Sequence, residues 1–188
     1  MLRNAENGYG LVAIALHWAV AALFVGQVAL ATQMTDLDDG PAKIALFGWH
    51  LAIGLAILAL AALRLGWRAA NPVPRLPDTL RRWEKRAARA NHYALYAALV
   101  AVPLAGWALA SAAPHGPAAE ALAALPLPRL PLPQSEAAAE ALESVHTNLA
   151  WAAVGLALLH IAAALRHHFW LRDDVLRRML RPVGRRSG

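Results

Sequence analysis

Cysteine is missing from all 188 residues, which excludes disulfides, thiolate metal clusters and thioether-linked cofactors as features of this chain. Charge is scarce as well. Only 16% of residues are charged and 59% are hydrophobic, whereas soluble domains carry roughly a quarter charged residues. Asp and Glu are absent from the longest apolar runs, so those runs offer no carboxylate pair for acid–base chemistry and no carboxylate ligand for a metal. A chain this poor in charge points to the bilayer as its solvent.

Four apolar runs remain, at 11–31, 44–65, 92–113 and 145–165, each close to the ~20 residues that cross a bilayer as a helix. Alanine and leucine dominate them without strand-like alternation, so the fold class is all-α, an integral membrane four-helix bundle in up-down order. The first run reads as a span rather than a cleaved leader. It exceeds the apolar core of a signal peptide, and its polar start carries Glu6 against a single Arg3. Basic residues gather between Arg64 and Arg89 and again in the tail from Arg172 to Arg186, whereas the other two connections are acidic or nearly neutral. Positive loops stay inside, so both termini are expected in the cytoplasm, in a multi-pass membrane protein. The net charge of +6 is then a topology signal and a contact for anionic lipids, with no nucleic acid partner implied.

The whole chain, 1–188, reads as one domain. Gly26, Gly54, Gly106 and Gly155 are expected to let helices approach closely, and Pro103 is expected to bend the third span. The link Asn71–Asp78 is Pro-rich and extended, and Thr79–Ala90 reads as a short basic amphipathic helix on the membrane surface, with Leu80, Trp83 and Ala87 on its apolar side. The loop from Pro114 to Ser144 contains LPLPRLPLP, which cannot continue a helix and is expected to lie extended, as a lid or a plain spacer.

Histidines supply the chemistry. His146 and His160 stand fourteen residues apart on the fourth run, close to whole turns of helix, so their imidazoles share one face about 21 Å apart. His17 on the first run matches the depth of His160, and His50 on the second is the counterpart of His146. The second match requires the fourth helix to begin earlier, within Glu136–Ser144. Ionisable residues inside spans are costly and mark function by default. Zinc wants three or four protein ligands, but haem iron needs only two axial ones, the porphyrin supplying the rest. Two bis-histidine b haems therefore fit His17, His50, His146 and His160 best. A proton or metal transport path and purely structural histidines stay open as alternatives. His92, at the start of the third run, is either an interfacial polar residue or a contact for a haem propionate or quinone. Arg64 and Arg68 either neutralise propionates or simply follow the positive-inside bias. His167 and His168, beside Phe169 and Trp170, read as interfacial anchors, and His115 as solvated. No catalytic residue stands out.

These residues resemble the bacterial cytochrome b561 family, the di-haem membrane cytochromes that include the superoxide oxidase type. The similarity rests on Tyr9 followed by Leu16-His17-Trp18, on His50 with Gly54 and the exit Arg64-Leu65-Gly66-Trp67-Arg68, and on His92-Tyr93-Ala94-Leu95-Tyr96 leading to Pro103-Leu104-Ala105-Gly106-Trp107. It continues through His146 to His160 and the ending His167-His168-Phe169-Trp170. The resemblance implies electron transfer between a quinone pool, such as ubiquinone, and a second redox partner, either superoxide or a redox protein. Left open are a membrane anchor and electron conduit for a dehydrogenase or hydrogenase, and a haem-free ion or metal transporter.

Overall fold

A computed structural model describes residues 1–76 and 80–183. Among them are five α-helices: α1 (Leu11–Thr35), α2 (Pro41–Ala69), α3 (Arg82–Ala112), α4 (Pro117–Ala123) and α5 (Glu136–Arg166). A π-helical turn, His167–Leu171, continues α5, and a 3-10 turn covers Arg177–Met179. Apart from the bridged pair Ala5 and Gly8, no strand forms among the described residues. Four helices, α1, α2, α3 and α5 with its π turn, are long and apolar enough to cross a membrane. The all-α, four-span architecture is as expected.

Every span is longer than its apolar stretch, and α2, α3 and α5 start ahead of it, because helices begin at caps rather than where hydropathy rises. In α5 the hydroxyl of Ser135 accepts the Ala138 N–H at 3.2 Å, so the helix starts ahead of the apolar run, as the His50–His146 match required. Helix α2 opens on Pro41 directly after Gly40, a placement where the missing proline N–H costs nothing. In α3 the Glu84 carboxylate takes the Arg81 N–H at 2.9 Å. That helix absorbs most of the segment expected as a separate surface helix. No breaker separates Ala90 from His92, and the Arg, Lys, Glu and Ala residues there are strong helix formers. Leu80 is buried, and Trp83 and Ala87 are exposed; residues 77–79 of the expected link and helix lie outside the described residues. Helix α3 also runs on through Pro103.

The chain divides into two compact units. The first gathers Met1–Val20, Leu60–Tyr96 and Val154–Gly188. It thus holds the beginnings of α1 and α3 and the ends of α2 and α5, the alternation that up-down order requires. Both chain ends belong to this unit, where the Val183 N–H donates to the Tyr9 carbonyl at 2.9 Å, Arg75 N–H to the Glu6 carbonyl at 3.2 Å, and Trp18 Nε1 to the Met179 carbonyl at 2.7 Å. The second unit gathers Ala21–Ala59 and Ala97–Ala153. Here the Pro-rich loop is extended as expected after the short α4, whose Ala119, Ala121 and Leu122 are buried. It is tied to the end of α3: Trp107 Nε1 donates to the Pro128 carbonyl at 3.0 Å, and the Arg129 guanidinium donates to the Ser111 and Ala113 carbonyls at 3.1 and 3.0 Å.

Buried positions are mostly small, among them Ala61, Ala112, Ala121 and Ala153, while Trp49, Trp151, Leu158 and Leu159 are well over half exposed. Large apolar side chains turned outward on long helices face lipid. Of the four glycines expected at close contacts, Gly26 and Gly155 have nothing within 4 Å of where a Cβ would stand, whereas Gly54 and Gly106 are each pressed by a side chain.

Candidate functional site

The histidines singled out by spacing form two groups, one in each unit. In the first unit α1 presents His17 and α5 presents His160, with ring centroids 6.2 Å apart and planes at 70°. His92, from α3, stands 5.2 Å from His160, so it is part of this group rather than a residue at the rim. Spacing alone did not place it there. The buried Nδ1 of His17 finds no protein hydrogen-bond partner.

Around this group lie Arg64 and Arg68, one turn apart on α2, with guanidinium carbons 5.4 and 5.8 Å from the centre of the Tyr96 ring. Both are close enough for cation–π attraction. Among the described residues neither is ion-paired with a carboxylate. Tyr9, just before α1, is drawn into the same cluster: burial raises its phenol above the ordinary value, and the positive charges of Arg68 and Arg64 pull partly the other way. A neutral phenol therefore sits beside two cations.

In the second unit α2 presents His50 and α5 presents His146, with centroids 6.0 Å apart and planes at 80°. The His146 Nδ1–H donates to the Val102 carbonyl of α3 at 3.0 Å. Since a carbonyl only accepts, Nδ1 carries the proton and Nε2 is left with a free lone pair. The Gln27 side-chain amide on α1 donates to the His50 backbone carbonyl at 2.7 Å, while Gln27 Oε1 and His50 Nδ1 are buried without a protein partner. Gln27 was not singled out from the sequence, although an amide within an apolar span was a signal in plain sight.

His168 lies edge to face with Phe169, ring centroids 4.9 Å apart, and its buried Nδ1 finds no partner among the described residues. His167 pairs with Asp173, and His115 pairs with Glu136 at 2.8 Å on the surface. Phe169 and Trp170 are exposed, as interfacial anchors would be, but His167 is turned inward. Among the described residues no group of three or more His, Cys, Asp or Glu side chains is arranged to hold a metal ion by itself.

Residues 8–182 match the profile of the prokaryotic cytochrome b561 family. The chain belongs to that family. It is 31% identical over 184 residues to cytochrome b561 homolog 2 of Escherichia coli, covering 94% of this chain and 93% of that protein. It is 27% identical to cytochrome b562 of Cereibacter sphaeroides, covering 94% and 98%. To the probable superoxide oxidase CybB of Yersinia pestis it is 28% identical, covering 92% and 95%. As a cytochrome b561 with four candidate spans, the protein is a multi-pass inner-membrane haem protein of electron transfer.

Proposed function

We propose that this cytochrome b561 holds two b haems, one between His17 and His160 and one between His50 and His146. Electrons then pass between the quinone pool and a second redox partner. The observation that carries the reading is the ring spacing. Two imidazoles bonded from opposite sides to one metal ion, each at about 2 Å, place their centroids about 6 Å apart; the two pairs measure 6.2 and 6.0 Å.

Each haem, held by its two histidines, would supply a one-electron iron couple for passing electrons rather than a site for dioxygen. The protein's part is orientation and electrostatics. Arg64 and Arg68 neutralise carboxylates at the edge of the first unit's site, and His92 lines that site beside His160. With the basic loops inside, the first unit's site lies toward the cytoplasm. Similarity to a probable superoxide oxidase supports superoxide as the donor, and ubiquinone is the proposed acceptor.

The deciding experiment is a reduced-minus-oxidised spectrum of the purified protein with haem counted per chain, followed by addition of superoxide or of ubiquinol. Two haems that superoxide reduces and ubiquinone reoxidises are expected. A colourless protein overturns the haem reading in favour of a transporter. Two haems with no turnover until a second subunit co-purifies favours the electron conduit of a larger complex.

A further inference from the structure

The two histidines of the second unit share a device. The His50 carbonyl and the Val102 carbonyl lie inside helices, where each already accepts the N–H four residues further on, from Gly54 and Gly106 respectively. Each also receives a second donor from another helix: Gln27 Nε2 at 2.7 Å on His50 and His146 Nδ1 at 3.0 Å on Val102. A carbonyl oxygen has two lone pairs, but the Cβ of residue i+4 leans back toward the helix start and crowds the oxygen of residue i. At both places residue i+4 is glycine. A Cβ on Gly54 would stand 3.3 Å from Gln27 Nε2, and one on Gly106 would stand 3.0 Å from His146 Cε1 and 3.2 Å from its Nδ1.

We infer that Gly54 and Gly106 are windows through which Gln27 and His146 reach helix carbonyls, and that Gln27, Gly54 and Gly106 are positioning residues for the His50–His146 pair. This rests on the reading of that pair as axial ligands. The bond from His146 Nδ1 fixes the tautomer with Nε2 free and sets the plane of the ring. It also makes the imidazole a stronger electron donor, as outer hydrogen bonds to ligating histidines do. The bond from Gln27 holds the α2 backbone at His50 against α1. In the first unit the buried Nδ1 of His17 has no such partner among the described residues.

The test uses the purified, haem-loaded full chain with Gly106→Ala, Gly54→Ala, Gln27→Leu and the double variant Gln27→Leu/Gly54→Ala. Haem per chain, both midpoint potentials and the low-temperature electron paramagnetic resonance signal of each haem are measured. Each variant is expected to keep two haems while one midpoint moves and its resonance changes, the other haem keeping its values. In Gly106→Ala that midpoint should rise, because a weaker donor favours the reduced iron. The double variant should shift no further than the larger of its two singles, since both remove the same bond. Two haems with potentials and resonances unmoved in all variants overturn the inference, as do equal shifts of both haems or additive shifts in the double variant. A wild-type protein without two haems instead strikes the ligand reading. If Gly106→Ala does not fold, Gln27→Leu, which adds no bulk at the helix contact, carries the test.

Discussion

His92 and His160 face each other edge to face with ring centroids 5.2 Å apart, nearer than the 6.2 Å between His160 and His17. Two imidazoles therefore flank His160, and only the wider gap matches the centroid spacing of two imidazoles bonded to one ion from opposite sides. His17→Ala and His160→Ala are each expected to lower the haem count from two to one per chain, and His92→Ala to leave it at two. Pyridine haemochrome absorbance set against protein mass measures this. One haem in His92→Ala and two in His17→Ala would move the ligand role to His92.

Arg64 and Arg68 stand over the Tyr96 ring with no carboxylate to balance them among the described residues. If they hold the acidic edge of the first unit's haem, Arg64→Gln should remove a charge-assisted bond of about 2 kcal/mol. Transfer of that one haem to apomyoglobin should then become roughly thirtyfold easier, with the other haem retained as in wild type. Equal loss of both haems would count against the assignment.

Arg129 closes the end of α3 by donating to the Ser111 and Ala113 carbonyls, and the Leu130 N–H adds a bond to the Ser111 hydroxyl at 3.0 Å. Ser111 is fully buried, so water cannot easily replace the lost donor. Arg129→Ala should cost about 2 kcal/mol of stability and lower the thermal midpoint while the haem count stays at two. Both bonds come from one nitrogen, Nη1, and lysine should restore only part of the loss, because an ammonium is more strongly hydrated than a guanidinium. An unchanged midpoint for Arg129→Ala would mean that the loop is not anchored there.

The four spans and the two histidine pairs were legible because hydropathy reports what faces lipid and because an imidazole in a span has few other reasons to exist. The true helix starts were marked by other signals: Ser135 before Glu136, Gly40 before Pro41, and Glu84 just inside α3. Those are backbone and capping effects, which hydropathy does not register. The surface helix merged into α3 for the same reason, since a change from basic to apolar residues does not break a helix. Gly54 and Gly106 were visible as small residues, as were Gly26 and Gly155, but only the three-dimensional neighbours separate a glycine that admits Gln27 or His146 from one that faces open space. His92 joined the first group through the packing of α3 against α5, which no spacing within one segment encodes.

Glycine substitutions should consequently have opposite signs at different places. At Gly10 a Cβ would stand 2.2 Å from the Leu2 carbonyl oxygen and 2.5 Å from the backbone of Arg3, and backbone cannot swing aside as a side chain can. Gly10→Ala should cost about 3 kcal/mol. Gly155, inside α5 with nothing within 4 Å, should gain up to about 1 kcal/mol on becoming alanine, through reduced backbone entropy. Thermal unfolding of the two variants in one detergent compares them directly, and a stabilised Gly10→Ala would show that the first ten residues are not packed as described.

Tyr9 gives the protein an alkaline limit. Burial raises its phenol above the ordinary value of 10.0 despite the nearby Arg68, so the folded state holds the proton at a pH where the unfolded chain has released it. The stabilisation from this group is complete below pH 10 and is lost as the pH climbs through the raised value, because stability falls wherever the folded state binds more protons than the unfolded. Tyr9→Phe keeps the ring and removes the titration. Between pH 9 and pH 11 its thermal midpoint should therefore fall less than that of the wild type, with the two proteins differing little at pH 8. Parallel decline of both proteins would mean that the phenol is free to ionise in the folded state.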